Sequence, residues 1–317
     1  MSSTDTLHDP LETLCVKPLH TSASVSVHDV CCRPHGKERG PEERPLTHQI
    51  VFPRHGVFEF ASRGETVIAD ANRVLFFTRD ETYRVAHPAG AGDDCTVFAF
   101  DDRLLRAALE LIDPRWLATA AALARPFRFV HGLVDERVFL AQERLRRAAL
   151  APDRPSLALD EAAVELLAAV LRSTYLGRGL APPPARTSTR TLHGELARKT
   201  SLFLATAFGD DASLADVSRA VHASPFHLAR VFRREAGVTI HQYRHRLRLR
   251  AALARLADGE TDLSDLALEL GFSSHSHLTD AFRLAFGVSP AECRRSLTVR
   301  RFGQLSKNLE VPLRTKS

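Results

Sequence analysis

Side chains that could bind a metal ion or act as nucleophiles are concentrated in the first hundred residues. They are His20, His28, Cys31, Cys32, His35, His55, His87 and Cys95. The closest group, Cys31, Cys32 and His35, does not match the usual ligand spacings of zinc sites. These first hundred residues also lack the close His-x-His pair, followed by a carboxylate, that would hold a catalytic metal. The spacing therefore predicts no metal, no cofactor and no catalytic residue, with partly buried thiols and surface histidines instead.

Arginine side chains near the C-terminus could bind phosphate and base edges. Residues 196–301 contain 16 Lys and Arg against 11 Asp and Glu, and the rest of the chain is balanced, so this region carries the whole net charge of +5. A basic domain joined to a neutral one is typical of nucleic-acid binders, because neutralised phosphates release counterions. A solvated basic surface would have the same composition, so charge alone leaves both interpretations open.

The same region contains an internal repeat. A shift of 50 residues pairs Ser224 with Ser274, His227 with His277, Phe232 with Phe282, Arg233 with Arg283 and Gly237 with Gly287. The preceding helices align at a shift of 49, which places one extra residue in the second turn. Each copy therefore predicts a helix, a short turn and a second helix that ends at glycine.

The helical period separates a buried face from an outward face in each second helix. In the first copy Leu228, Val231 and Phe232 form the buried stripe, and the opposite face carries Phe226, Arg230 and Arg233. In the second copy the outward set is Ser276, Asp280 and Arg283, with His275 and Thr279 beside them.

A continuous helix is predicted over residues 239–257, between the two copies. At about 28 Å it approaches the roughly 34 Å between successive major-groove faces of DNA, so it could hold two reading helices on one side of a duplex. The arginines predicted to point largely outward from it are Arg244, Arg246, Arg248, Arg250 and Arg255.

The N-terminal half changes from a strand pattern to a helix pattern near residue 101. From Val25 to about Phe100, short apolar runs with turn residues between most of them predict a small barrel or sandwich. The long apolar helix predicted at 157–176 has too broad a face for an isolated surface helix, so it packs on the barrel or forms a homodimer seam. The run APPPARTSTR at 181–190 favours an extended linker.

The C-terminal repeat resembles the AraC/XylS family of transcription regulators. The resemblance is carried by GFSSHSHLTDAFRLAFGVSPAECRR at 271–295 and SLADVSRAVHASPFHLARVFRREAGVT at 213–239. More loosely, HQIVFPRHGVF, ANRVLFF and YRVAHPAGAGDDCTVFAF are similar to the cupin-like N-terminal domains of that family.

The resemblance implies an α+β chain with a cupin-like β-barrel, a helical dimerisation segment and an all-α double helix-turn-helix domain. The expected boundaries are a flexible N-terminus over 1–20, a sensor and dimerisation domain over 21–180 with helices from about 102, a linker over 181–195, the DNA-binding domain over 196–300 and a tail over 301–317.

Two sets of site residues follow. The DNA-binding set is Ser224, Phe226, His227, Arg230, Arg233, Arg234, Ser274, His275, Ser276, Thr279, Asp280 and Arg283. The effector-pocket set is Arg54, Phe58, Phe60, Phe76, Tyr83, His87 and Phe98. Two positions depart from the family pattern: Asp280 stands where a basic or neutral residue is common, and Cys293 stands where an aromatic is usual.

The predicted function is sequence-specific regulation of transcription by a cytoplasmic homodimer that reads two adjacent major-groove segments. Its partners would be double-stranded DNA, a small-molecule effector and RNA polymerase, with no membrane association. Two alternatives stay open. One is a metal-dependent cupin enzyme. The other is a DNA-repair methyl acceptor fused to a DNA-binding module, which would require a thiolate-activating environment.

Overall fold

The structure is a computed structural model that describes residues 12–34, 36–151, 156–177 and 187–298. Its strands are β1 Glu12–Thr21, β2 Val25–Pro34, β3 Gln49–His55, β4 Phe58–Ser62, β5 Glu65–Ala69, β6 Arg73–Phe77, β7 Tyr83–Ala86, β8 Asp93–Phe100 and β9 His131–Leu133. Its helices are α1 Asp102–Ile112, α2 Pro114–Leu117, α3 Ala121–Ala124, α4 Glu136–Leu150, α5 Ser156–Gly177, α6 Thr187–Thr206, α7 Leu214–Ala220, α8 Pro225–Ala236, α9 Ile240–Ala257, α10 Leu263–Glu269, α11 His275–Phe286 and α12 Pro290–Thr298.

The N-terminal half is built on two antiparallel sheets. One has the strand order β1-β2-β8-β3-β6-β9 and the other has the order β5-β4-β7. Alternate side chains of β3 and β8, such as Phe52 and Phe98, are buried in the core beneath the helices. The predicted α+β class is confirmed, and the strand runs expected between 49 and 100 correspond to β3, β4, β5, β6 and β8.

The long apolar helix α5 packs inside the N-terminal half. Its apolar stripe, including Leu159, Leu166 and Val170, belongs to the same core cluster as the sheet residues. Tyr175, near its end, accepts a hydrogen bond from the backbone of Arg128. The structure therefore supports the first of the two sequence interpretations, because this face is already occupied within one chain.

Two expected boundaries differ from the structure. The N-terminal segment expected to be flexible contains strand β1, which pairs with β2 along its length and is held by backbone hydrogen bonds that composition does not reveal. The expected linker at 181–195 lies outside the described residues up to 186, and from Thr187 onward it is the first part of α6. Residues 301–317, the expected tail, lie outside the described residues.

The C-terminal half repeats its local structure as predicted. Ser213 caps α7 in a capping box with Asp216, and Asp262 caps α10 through the corresponding backbone groups. Both turns contain a residue of positive φ, His222 at 55° in the first copy and Gly271 at 76° in the second. The short turn therefore has the same left-handed backbone conformation at this position in both copies, although only the second copy has glycine there.

A buried polar contact joins the two halves of the chain. It is formed by α9 and by the turn between β5 and β6. The Tyr243 hydroxyl donates to Asp70 at 2.5 Å, and Asn72 donates through its side-chain amide to the Tyr243 carbonyl at 3.2 Å. Burial raises the pKa values of both Asp70 and Tyr243. Asp70, Asn72 and Tyr243 therefore supply one another's hydrogen bonds in a region that water does not reach.

Arg250 completes this contact about two turns further along α9. It is fully buried, and it donates to the carbonyls of Ala71 at 2.8 Å and Val134 at 2.5 Å and to the Asn72 side chain. Its guanidinium carbon lies 5.2 Å from the centre of the Phe139 ring. Desolvation lowers the pKa of Arg250 to about 10. We call these groups, together with Asp70 and Tyr243, the α9 latch.

The helices in the described ranges include none that is long and apolar enough to cross a membrane.

Candidate nucleic-acid interface

Helix α8 is fixed at both ends by its own sequence. The Ser224 hydroxyl accepts a hydrogen bond from the backbone of His227 at 3.3 Å, and Pro225 occupies the first helical position. The helix ends at Gly237, whose φ of 72° only glycine adopts at low cost. Leu228 and Phe232 are fully buried below, so the opposite face is held at the surface.

Two arginines on that surface are available to a ligand. Arg230 and Arg233 are exposed, and within the described part of the chain their side chains make no ion pair or hydrogen bond. Arg234 differs, because it pairs with Glu235 at 2.7 Å and contacts His193. The Phe226 side chain lies outside the described part of the structure.

Helix α11 repeats this arrangement with less positive charge. Ser274 caps it through the His277 backbone at 3.1 Å, and Gly287 ends it with a φ of 74°. The remaining predicted residues lie on its outer side: His275, Ser276, Asp280 and Arg283 are exposed, and Thr279 is half-buried with its hydroxyl 3.3 Å from His275. Ser224 and Ser274 thus act on the helices themselves, as caps.

The arginines of α9 do not form a free basic face. Arg244 donates to Ala212, Arg248 donates to Phe208, Asp210 and Gly271, Arg246 pairs with Glu136, and Arg255 pairs with Glu260 and Glu269. Arg250 lies in the latch. The prediction that these side chains point largely outward is wrong for the buried Arg250 and for the half-buried Arg244, Arg246 and Arg248, because the N-terminal half and the neighbouring loops enclose much of α9. Arg255 is exposed as predicted. Arg248 in particular holds three backbone carbonyls and is a structural residue.

A helix-turn-helix domain family matches residues 217–296. The transcriptional activator RhaS of Escherichia coli is 26% identical over 257 residues, which cover 80% of this chain and 87% of the relative. RhaS of Shigella dysenteriae matches with the same values.

The chain is a DNA-binding transcription regulator with a helix-turn-helix domain. The family match runs from within α7 to within α12, and the activator match, at 80% of the chain, extends into the N-terminal half. The resemblance stated from the sequence is confirmed.

Among solved structures, an AraC-type transcriptional regulator from Chromobacterium violaceum is 22% identical, with a TM-score of 0.33, and covers 35% of this chain and 99% of its own. ToxT from Vibrio cholerae is 11% identical, with a TM-score of 0.33, over 92% of this chain and 100% of its own.

Asp280 occupies on α11 the position that Arg230 occupies on α8, and it makes no ion pair with Arg283 or any other described residue. We therefore expect Asp280→Asn to raise the regulator's affinity for many DNA sequences by about two- to fivefold, the size of an exposed charge interaction of about 0.5–1 kcal/mol. Fluorescence anisotropy with a preferred and a random duplex measures this effect. Loss of preference for one cytosine in the variant would contradict it and would make Asp280 a base reader.

The regulator also contains a cavity of about 350 Å³ between its two sheets. Three residues of the predicted effector pocket, Phe58, Tyr83 and His87, line it. The other four do not: Phe60, Phe76 and Phe98 are packed in the core clusters, and Arg54 lies 3.4 Å from Asp29.

Sequence reasoning did not place several polar residues in the cavity wall. Glu43, Gln49 and Asp93 were not singled out, and His28, Cys32 and Cys95 were considered only as metal ligands. Strand alternation is the signal that could have found part of this set, because Asp93, Cys95 and Val97 share one face of β8. Their distance from His87 and Glu43 depends on how the two sheets face each other, and no local pattern contains that information.

Proposed function

We propose that the regulator reads two adjacent major-groove segments of DNA with helices α8 and α11. The observation that carries this proposal is that the side chains of Arg230 and Arg233 are exposed and have no partner among the described residues, on a helix whose other face is anchored in the core. An exposed guanidinium of this kind is suited to bidentate contact with a guanine edge. On α11 the contacts come from His275, Ser276 and Arg283, and this helix contributes less affinity.

The experiment compares the full-length Arg230→Ala/Arg233→Ala variant with wild type on a duplex selected from a random pool. Each lost base contact is expected to cost about 1–3 kcal/mol on that duplex and much less on a random one. Arg103→Ala is the matched control, because Arg103 is equally exposed but lies on α1 in the N-terminal half. An equal loss of affinity in the control, or on both duplexes, would contradict the assignment. Wild-type affinity should fall steeply with salt.

We further propose that a small molecule bound in the cavity regulates DNA binding through the α9 latch. The apolar wall, with Val51, Phe58 and Phe77, suits the body of an organic ligand, while Tyr83 and Glu43 offer polar contacts at one end. Ala69, which ends β5, belongs to the core cluster around the cavity, and Asp70 in the latch follows it directly. Because Ala69 and Asp70 are neighbours in the chain, a ligand that shifts the packing around Ala69 would also move Asp70 and its hydrogen bond to Tyr243 of α9.

The role proposed for the chain is binding and not catalysis, in line with its match to transcriptional activators. The homodimer expected from the sequence needs a surface other than the apolar face of α5, which is occupied within the chain. Contact with RNA polymerase belongs to the same proposal.

A further inference from the structure

Strand register brings three metal-binding side chains together on the wall of the cavity. In the antiparallel pair of β2 and β8, Cys32 lies directly opposite Asp93, so their side chains point to the same face. His87 follows strand β7 of the facing sheet, and its Nε2 lies 2.7 Å from Asp93 Oδ2. One ligand atom from each of these three buried residues lies within 4.8 Å of the others.

We propose that Cys32, His87 and Asp93 bind a divalent transition-metal cation, with Zn²⁺ as the best match. Thiolate, imidazole and carboxylate are the three ligand types that Zn²⁺ takes in proteins, and the thiolate disfavours Mg²⁺ and Ca²⁺. On binding, the Cys32 thiol releases its proton to solvent and the sulfur bonds to the metal. The cavity supplies the entry path and leaves one side of the ion open to a further ligand.

Cys95 adjoins this set. It lies two residues after Asp93 on the same face of β8, and its Sγ is 3.1 Å from Asp93 Oδ1. It therefore orients the carboxylate, as groups around metal ligands commonly do.

The same register explains why Cys31, Cys32 and His35, the closest group in the sequence, do not form a metal site together. Cys31 precedes Cys32 directly, so its side chain points to the opposite face, where it lies across from Asp94. Adjacent cysteines on a strand cannot both reach one ion without breaking the alternation. His35, the third member of that group, lies outside the described residues.

The test is a titration of the purified, chelator-treated full chain with Co²⁺, which reports a thiolate ligand by its charge-transfer absorption. We expect one Co²⁺ per chain, displaced by Zn²⁺. Cys32→Ser should lose the thiolate absorption, and Asp93→Asn should bind at least about tenfold more weakly. Cys31→Ser is the matched control and should bind as wild type does. An absent signal in wild type, or a signal lost in Cys31→Ser and kept in Cys32→Ser, overturns the proposal.

A second measurement guards against variants that do not fold. Binding to the native state raises the thermal midpoint of the Cys31→Ser protein when Zn²⁺ is added. No rise at saturating Zn²⁺ counts against the site. Both experiments are made without DNA, so this inference can fail while the proposed reading of DNA stands, and the reverse also holds.

Discussion

Replacing Arg250 with Met is expected to lower the free energy of unfolding by about 2–4 kcal/mol. Arg250 is fully buried, and the variant leaves the carbonyls of Ala71 and Val134 and the Asn72 side chain without their donor. Buried acceptors that lose their partner carry the full cost of desolvation. Urea denaturation followed by circular dichroism measures the change, and hydrogen exchange should show faster exchange in the turn between β5 and β6.

The matched control for this variant is Arg246→Met on the same helix. Arg246 also crosses between the two halves and pairs with Glu136 at 3.0 Å, but both side chains are partly exposed. We expect a loss below about 1 kcal/mol there. Equal losses in the two variants would mean that the α9 latch contributes no more than a surface ion pair.

Gly271→Ala is expected to destabilise the second helix-turn-helix unit by more than about 2 kcal/mol. The backbone at Gly271 has a φ of 76°, which costs an L-residue about 1 kcal/mol. A Cβ there would also overlap the Gly209 carbonyl oxygen and lie 2.5 Å from Arg248 Nη2. The clash would displace the guanidinium that holds three backbone carbonyls, so a lower unfolding midpoint and weaker DNA binding should appear together.

His222→Gly provides the comparison within the same chain. His222 takes the equivalent turn position with a φ of 55°. Glycine removes the backbone strain that His222 carries at positive φ, which stabilises the folded state. It also raises the conformational entropy of the unfolded chain, which opposes that gain, so the free energy of unfolding should change by less than about 0.5 kcal/mol. If both substitutions had the same effect, the close approach at Gly271 would not be the cause.

The helix-turn-helix units could be predicted from the sequence because all their signals are local. Capping residues such as Ser213 and Ser224, the apolar stripe of α8 and the terminal Gly237 lie within a few residues of the structure they determine. The repeat at a shift of 50 residues also gives two copies of each local signal, so the prediction for one unit supports the prediction for the other. The same locality explains why the exposed faces of α8 and α11 were assigned in agreement with the structure.

The burial and the partners of the α9 arginines could not be predicted from such local signals. Helical periodicity tells which side chains share a face but not what covers that face. Arg250 is buried only because the turn at Asp70–Asn72, far away in the sequence, packs against it. The cavity presents the same difficulty, since Phe60 and Phe98 have the same apolar character as Phe58, and only the packing of two sheets decides which of them faces the cavity.

Helix α9 is an uninterrupted rod of 18 residues, about 27 Å long, between the two helix-turn-helix units. A rod of fixed length acts as a ruler for the operator. One base pair inserted between the two DNA segments would move the second segment by about 3.4 Å and turn it by about 35° around the duplex axis. Neither α8 nor α11 can follow that movement without bending α9. In the proposed reading of DNA by α8 and α11, we therefore expect the spacing between the two half-sites to be part of the recognised sequence, even where no side chain contacts the intervening bases.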